Sequence, residues 1–130
     1  MKTRLTRLGA LLAGITLLFA CNAPFIPVPP PGATFTAQLV ADGAGGQRTV
    51  WITHGLPSTQ AAFATFYILN ENRGDGVITT AVADGTYEAP PLEGNMDDRI
   101  QFSYQTPAGD YSDSLCLLLR EGSTLSLCPP

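Results

Sequence analysis

Polar and apolar residues alternate along this chain in short runs, each closed by a Gly, Pro or Asp signal before it is long enough to make a stable helix. Phe35, Ala37 and Leu39 stand between Thr34, Thr36 and Gln38, the period of two that buries one face of a strand and wets the other. Strand-like runs recur at 49–53, 63–69, 77–83, 99–104, 115–119 and 125–128. Turn signals separate them: Asp42-Gly43 with Gly45-Gly46, 55–58, 74–76, Asp84-Gly85, Pro90-Pro91 and 107–110. About seven short strands at this spacing predict an all-β fold, a single antiparallel β-sandwich, in preference to a barrel. A helix is conceivable only over 59–66, where Ser58 could cap and Gln60-Ala61-Ala62 are good formers. The aromatic and β-branched content of 63–69 favours a strand there.

The strands do not begin at once. Lys2, Arg4 and Arg7 form a cationic leader, followed from Leu8 to Ala20 by an uncharged apolar run broken only by Thr16. That is the order of a secretory signal. At 13 residues the run is too short to cross a bilayer as a helix, which takes about 20. From Asn22 to Gly32 there follow five prolines, which favour an extended, polyproline-like tether.

Between signal and tether stands Leu18-Phe19-Ala20-Cys21, which resembles the lipobox of bacterial lipoproteins. The resemblance implies cleavage after Ala20, diacylglyceryl modification of Cys21 and acylation of the freed amine. Two or more acyl chains hold a protein stably on a membrane. Asn22, where Asp would mark inner-membrane retention in enterobacteria, implies the outer membrane. The expected organisation is a lipoprotein signal peptide over 1–20, a lipidated cysteine and tether over 21–32, and the β-sandwich over 33–130.

A second resemblance lies within the strands. Ala83-Asp84-Gly85-Thr86-Tyr87, then Asp98-Arg99-Ile100-Gln101-Phe102, then Pro107-Ala108-Gly109-Asp110-Tyr111-Ser112 resemble the turn and strand-start motifs of bacterial immunoglobulin-like cell-surface modules. The match covers about a third of the chain. It implies an immunoglobulin-like sandwich and says little about activity, because that architecture hosts many functions.

Charge narrows the partners. Beyond residue 20 there is no lysine, and Arg48, Arg73, Arg99 and Arg120 stand against eleven Asp and Glu, a formal net charge of −7. Four scattered arginines cannot neutralise a row of phosphates, which argues against a nucleic-acid partner. The same charge argues against broad adhesion to anionic headgroups and leaves the lipid as the expected membrane contact.

Lipidation of Cys21 would leave Cys116 and Cys128 as an even pair in an oxidising compartment. If 115–119 and 125–128 form a hairpin around Gly122, Leu119 faces Leu125, Leu117 faces Leu127 and Cys116 faces Cys128. A directly opposed, non-hydrogen-bonded pair has its Cα atoms about 4.5 Å apart, within disulfide range. A redox or metal role for the two thiols is the alternative.

Other residues carry weaker chemistry. His54 is the sole histidine, so any histidine-assisted nucleophile must use it, and Ser58 nearby lacks a nucleophile-elbow context. Asn70, Glu71, Asn72, Asp75, Asp97 and Asp98 offer hard oxygen ligands for Ca²⁺, but their spacing is not that of an EF-hand. Arg73-Gly74-Asp75 is an integrin-type tripeptide on a hairpin tip. Trp51 and Tyr67, with Tyr87, Tyr104 and Tyr111, could stack on a sugar or other small ligand if they faced outward; aromatic burial is the commoner fate. Alternation puts Trp51 opposite Val50 and Ile52, so one side or the other should face solvent or a second layer.

The chain is therefore expected to be a membrane-tethered, non-enzymatic envelope lipoprotein, structural or adhesive, with no cofactor and an envelope protein or glycan as partner. A small-ligand or carbohydrate-binding lipoprotein is the alternative.

Overall fold

The computed structural model describes residues 25–26, 30–122 and 127–129. The signal segment, Cys21 and the first half of the run 125–128 lie outside the described residues. In chain order the strands are β1 (Phe25–Ile26), β2 (Ala33–Ala41), β3 (Gln47–Gly55), β4 (Thr65–Asn70), β5 (Asp75–Thr80), β6 (Leu92–Glu93), β7 (Arg99–Gln105), β8 (Tyr111–Ser112) and β9 (Leu115–Leu118). No α-helix occurs among the described residues, and the stretch that could have been helical holds one 3-10 turn, Thr59–Ala61.

The strands form two sheets. In the smaller, β3 lies between β2 and β6, both antiparallel to it. In the larger, β4 lies between β5 and β7, while β8 and β9 both pair with β7. The short β1 joins β8 in parallel at the sheet edge, so part of the expected tether is folded. An edge is where a proline-flanked strand can pair, because it needs only one partner.

The registers put the start of β2 and β4 and the ends of β3, β5 and β7 at one pole. The chain enters the domain there, with Phe25 opposite Tyr111 and the Leu56 N–H donating to the Gly32 carbonyl at 3.0 Å. We call this the entry pole.

Between the sheets, alternate residues meet as the period of two requires. Phe35, Trp51 and Leu92 come from the smaller sheet, and Phe66, Ile68, Ile100, Phe102, Tyr104 and Leu117 from the larger. Phe66 is the hub of an aromatic cluster, with ring centroids 4.2 Å from Tyr87 and 5.6 Å from both Phe102 and Tyr104. Contacts of this kind add to the area they bury.

Val50 and Ile52 are buried although they alternate with buried Trp51 and Thr53. Trp51 and Thr53 face the second layer, and Val50 and Ile52 on the other side of β3 are also shielded from solvent in this central strand. Two further differences concern β6 and β8. Each is two residues long, one following Pro90-Pro91 and the other the 107–110 turn, so neither has room to show an alternation.

Candidate binding face

The two aromatic candidates part company in the structure. Trp51 is 3% exposed, and its indole N–H donates to the Gly94 carbonyl at 2.9 Å. It belongs to the core and offers no stacking surface to a ligand, contrary to the expectation for Trp51. Tyr67 is half-buried on the outer face of the larger sheet. Its hydroxyl donates to Gln105 Oε1 at 3.1 Å, and its ring centroid lies 6.4 Å from that of exposed Tyr111.

Around Tyr67 the outer face is hollowed. A groove of about 360 Å³ is lined by Tyr67, Leu69, Gly76, Ile78, Gln101 and Ser103. Register explains it: Tyr67 sits between Ile78 and Ser103, and Leu69 sits between Gly76 and Gln101. Gly76 leaves a notch beside Leu69, whose Cδ1 would be 3.4 Å from a Cβ at that position. Ile78 is 62% exposed at the rim.

The groove opens at a sheet edge. Among the described residues no strand pairs with the outer side of β5. Ala81 N–H donates to the Ala64 carbonyl, which fixes the parity of the β4–β5 ladder. Val77 and Thr79 then bond inward to β4, and the backbone groups of Gly76, Ile78 and Thr80 point away from the sheet. Outward-pointing amides thus lie beside an apolar notch.

The catalytic candidate is placed differently. His54, at the end of β3, has Nδ1 3.6 Å from a Glu88 carboxylate oxygen, with His54 half-buried and Glu88 largely in solvent. Among the described residues no serine, threonine or cysteine side chain hydrogen-bonds to it. The triad relationship needs a nucleophile within about 3 Å of the base.

The oxygen-rich turns are occupied by the fold. Asn70, fully buried, donates through Nδ2 to the Glu93 carbonyl at 3.1 Å and to Asp98 Oδ2 at 2.8 Å, while its Oδ1 accepts from the amides of Asn72 and Arg73. Asn72 Oδ1 accepts from the Arg99 amide at 2.7 Å. Among the described residues no three His, Cys, Asp or Glu side chains are grouped to hold a metal ion. Arg73 of the Arg-Gly-Asp tripeptide pairs with Glu93 at 2.8 Å and stands 3.7 Å from Asp75.

The four arginines among the described residues lie at the pole opposite chain entry, each against a carboxylate: Arg48 and Arg73 on Glu93, Arg99 on Glu71, Arg120 on Asp97. Two other acids titrate below the usual range. Hydrogen bonds from the Ala44 and Gly46 amides hold Asp42 down, and the Thr86 hydroxyl and amide do the same for Asp84.

Cys116 and Cys128 are joined as a disulfide, with Cα atoms 5.4 Å apart. The opposition is as expected, and Leu117 faces Leu127. The pairing type is not: the Cys128 N–H donates to the Cys116 carbonyl at 3.1 Å, so this is the wider, hydrogen-bonded kind of pair. Comparison with known protein families, with characterised proteins and with solved structures finds no match to this chain.

Proposed function

We propose that this protein is a bacterial envelope lipoprotein whose exported β-sandwich is a non-enzymatic structural or adhesive module, held through lipid on Cys21 and binding its partner along β5. The observation that carries the binding mode is the juxtaposition of outward-pointing amides at Gly76, Ile78 and Thr80 with the apolar notch at Leu69. An extended segment of a partner can add to such an edge as a strand, with backbone bonds supplying affinity and the notch selecting an apolar side chain. The strand lacks the lysine or proline that commonly protects an edge, although its Thr79 hydroxyl reaches the Glu88 carbonyl of the segment leading to β6 at 3.5 Å.

The lipoprotein part is supported by the leader and by Leu18-Phe19-Ala20-Cys21, and the outer-membrane address by Asn22. An immunoglobulin-like assignment is supported by strand order. Strands β2, β3 and β6 face β5, β4, β7 and β9, with the connections β3–β4, β5–β6 and β6–β7 crossing between layers as in that fold.

A second reading, a small-ligand or carbohydrate-binding lipoprotein, is favoured by the groove's volume and by Tyr67 and Tyr111 sharing a face with Gln101 and Gln105. Two variants separate the readings. Ile78→Pro removes an outward amide and should abolish strand addition while sparing sugar stacking; Tyr67→Ala should do the reverse. The address is tested by intact mass of membrane-extracted protein: a chain starting at Cys21 with added lipid, absent in Cys21→Ala, supports the anchor. An unlipidated wild-type chain sinks it.

A further inference from the structure

We propose that the entry pole rests on the lipid surface, with Leu56, Phe63 and Val82 set among the headgroups and upper acyl chains. The proposal rests on the lipid-anchor reading and adds an orientation to it. Three independent observations converge.

The first is reach. Because Phe25 already pairs with Tyr111 at the entry pole, only three residues, Asn22, Ala23 and Pro24, separate Cys21 from the folded domain. Four Cα steps span at most about 14 Å. A lipid on Cys21 would bring this pole, and no other part of the domain, against the bilayer. The sequence alone predicts an extended tether through Gly32, which the pairing of β1 with β8 shortens.

The second is what the pole presents. Phe63 is 60% exposed and Val82 is 57% exposed, and they are held side by side because the Phe63 N–H donates to the Val82 carbonyl at 3.3 Å. Phe63 has φ 57°, a left-handed conformation that a bulky residue rarely adopts. The kink turns the chain between the 3-10 turn and β4 and leaves the ring outside the core. Leu56, also exposed, is bonded to Gly32 where the chain comes in.

The third is charge. Among the described residues the four arginines sit at the opposite pole, paired with carboxylates, and none of these guanidinium groups faces the membrane. Asp84 and Asp110, at the entry pole, would stay in the wet headgroup layer and limit the depth of insertion. The contact is therefore apolar and shallow, as for interfacial segments that bury an aromatic and aliphatic face.

The test uses the full lipidated chain, purified from membranes and reconstituted into phosphatidylcholine vesicles with or without bromine on the acyl chains. Phe63→Trp places an indole at the pole, and Val82→Trp is the second variant should the first fold poorly. Wild-type protein reports Trp51 alone, which is buried and should be unaffected by bromine. The expected result is a blue shift and loss of emission from the introduced indole in brominated vesicles. Vesicle-bound protein whose new indole emits as in water would overturn the orientation and leave the anchor intact. A wild-type chain that neither carries lipid nor floats with vesicles would overturn both.

Discussion

The ring of Tyr87 fills the space that a side chain on Gly55 would need. A Cβ built on Gly55 would stand 2.2 Å from Tyr87 Cε1, and the two backbones are joined by the Gly55 N–H donating to the Tyr87 carbonyl at 2.8 Å. The end of β3 thus closes against the segment that follows β5. Gly55→Ala should push the ring off Phe66 and cost about 1–3 kcal/mol by overpacking. Urea unfolding of the exported domain checks this; an unchanged midpoint would show that Tyr87 can move freely.

Tyr87 also carries the one buried side-chain polar atom without a hydrogen-bond partner among the described residues, its hydroxyl. Burial holds its pKa well above the ordinary 10.0. Tyr87→Phe should leave stability unchanged or raise it by about 1 kcal/mol, since an unpaired buried hydroxyl is a net cost. The ionised phenol is favoured only in the unfolded chain. Stability of the wild type is therefore full below pH 10 and falls as pH rises above it, a loss the Phe variant should escape. Thermal melts from pH 8 to 11 measure both effects.

Cys128→Ser, which opens the loop closed with Cys116, should lower stability by about 3 kcal/mol in the chain-entropy description. The same loss should follow addition of reductant to the wild type and be absent on reducing the variant. Equal stability of oxidised and reduced wild type would reopen a redox role for the pair.

Asn70→Ala removes the side chain that joins the β4–β5 turn to Glu93 and Asp98. It leaves several buried partners unpaired, and a loss of about 3 kcal/mol is expected. Hydrogen exchange should show the amides of Asn72, Arg73 and Asn95 opening before the rest of the sheet. Protection that falls evenly across the domain would assign Asn70 to the core instead of to the turn.

Most of the long strands were legible in the residues. β2, β3, β4, β5, β7 and β9 fall on the alternating runs, with boundaries shifted by up to three positions, because a half-buried strand must alternate to bury one face. β1, β6 and β8 were not legible. Two residues cannot display a period, and these strands exist only because a longer neighbour offers an edge.

The binding face was half legible. Tyr67 carried a signal as an aromatic on an alternating run, but nothing local distinguished it from Trp51, which is buried. Leu69, Gly76 and Ile78 form the notch through cross-strand register, and register depends on partners distant in the chain. The one usable hint was a glycine opening a strand otherwise made of Val, Ile and Thr.

By itself the sequence determined the strand content, the turn positions, the acidic balance and the opposition of Cys116 and Cys128, because each rests on interactions between near neighbours or on composition. Only the tertiary structure decided that Trp51 is core and Tyr67 is face, that β5 is an open edge, and that the arginines gather at one pole away from chain entry. Those are properties of which sheet covers which, and burial is settled by packing between residues the chain keeps far apart.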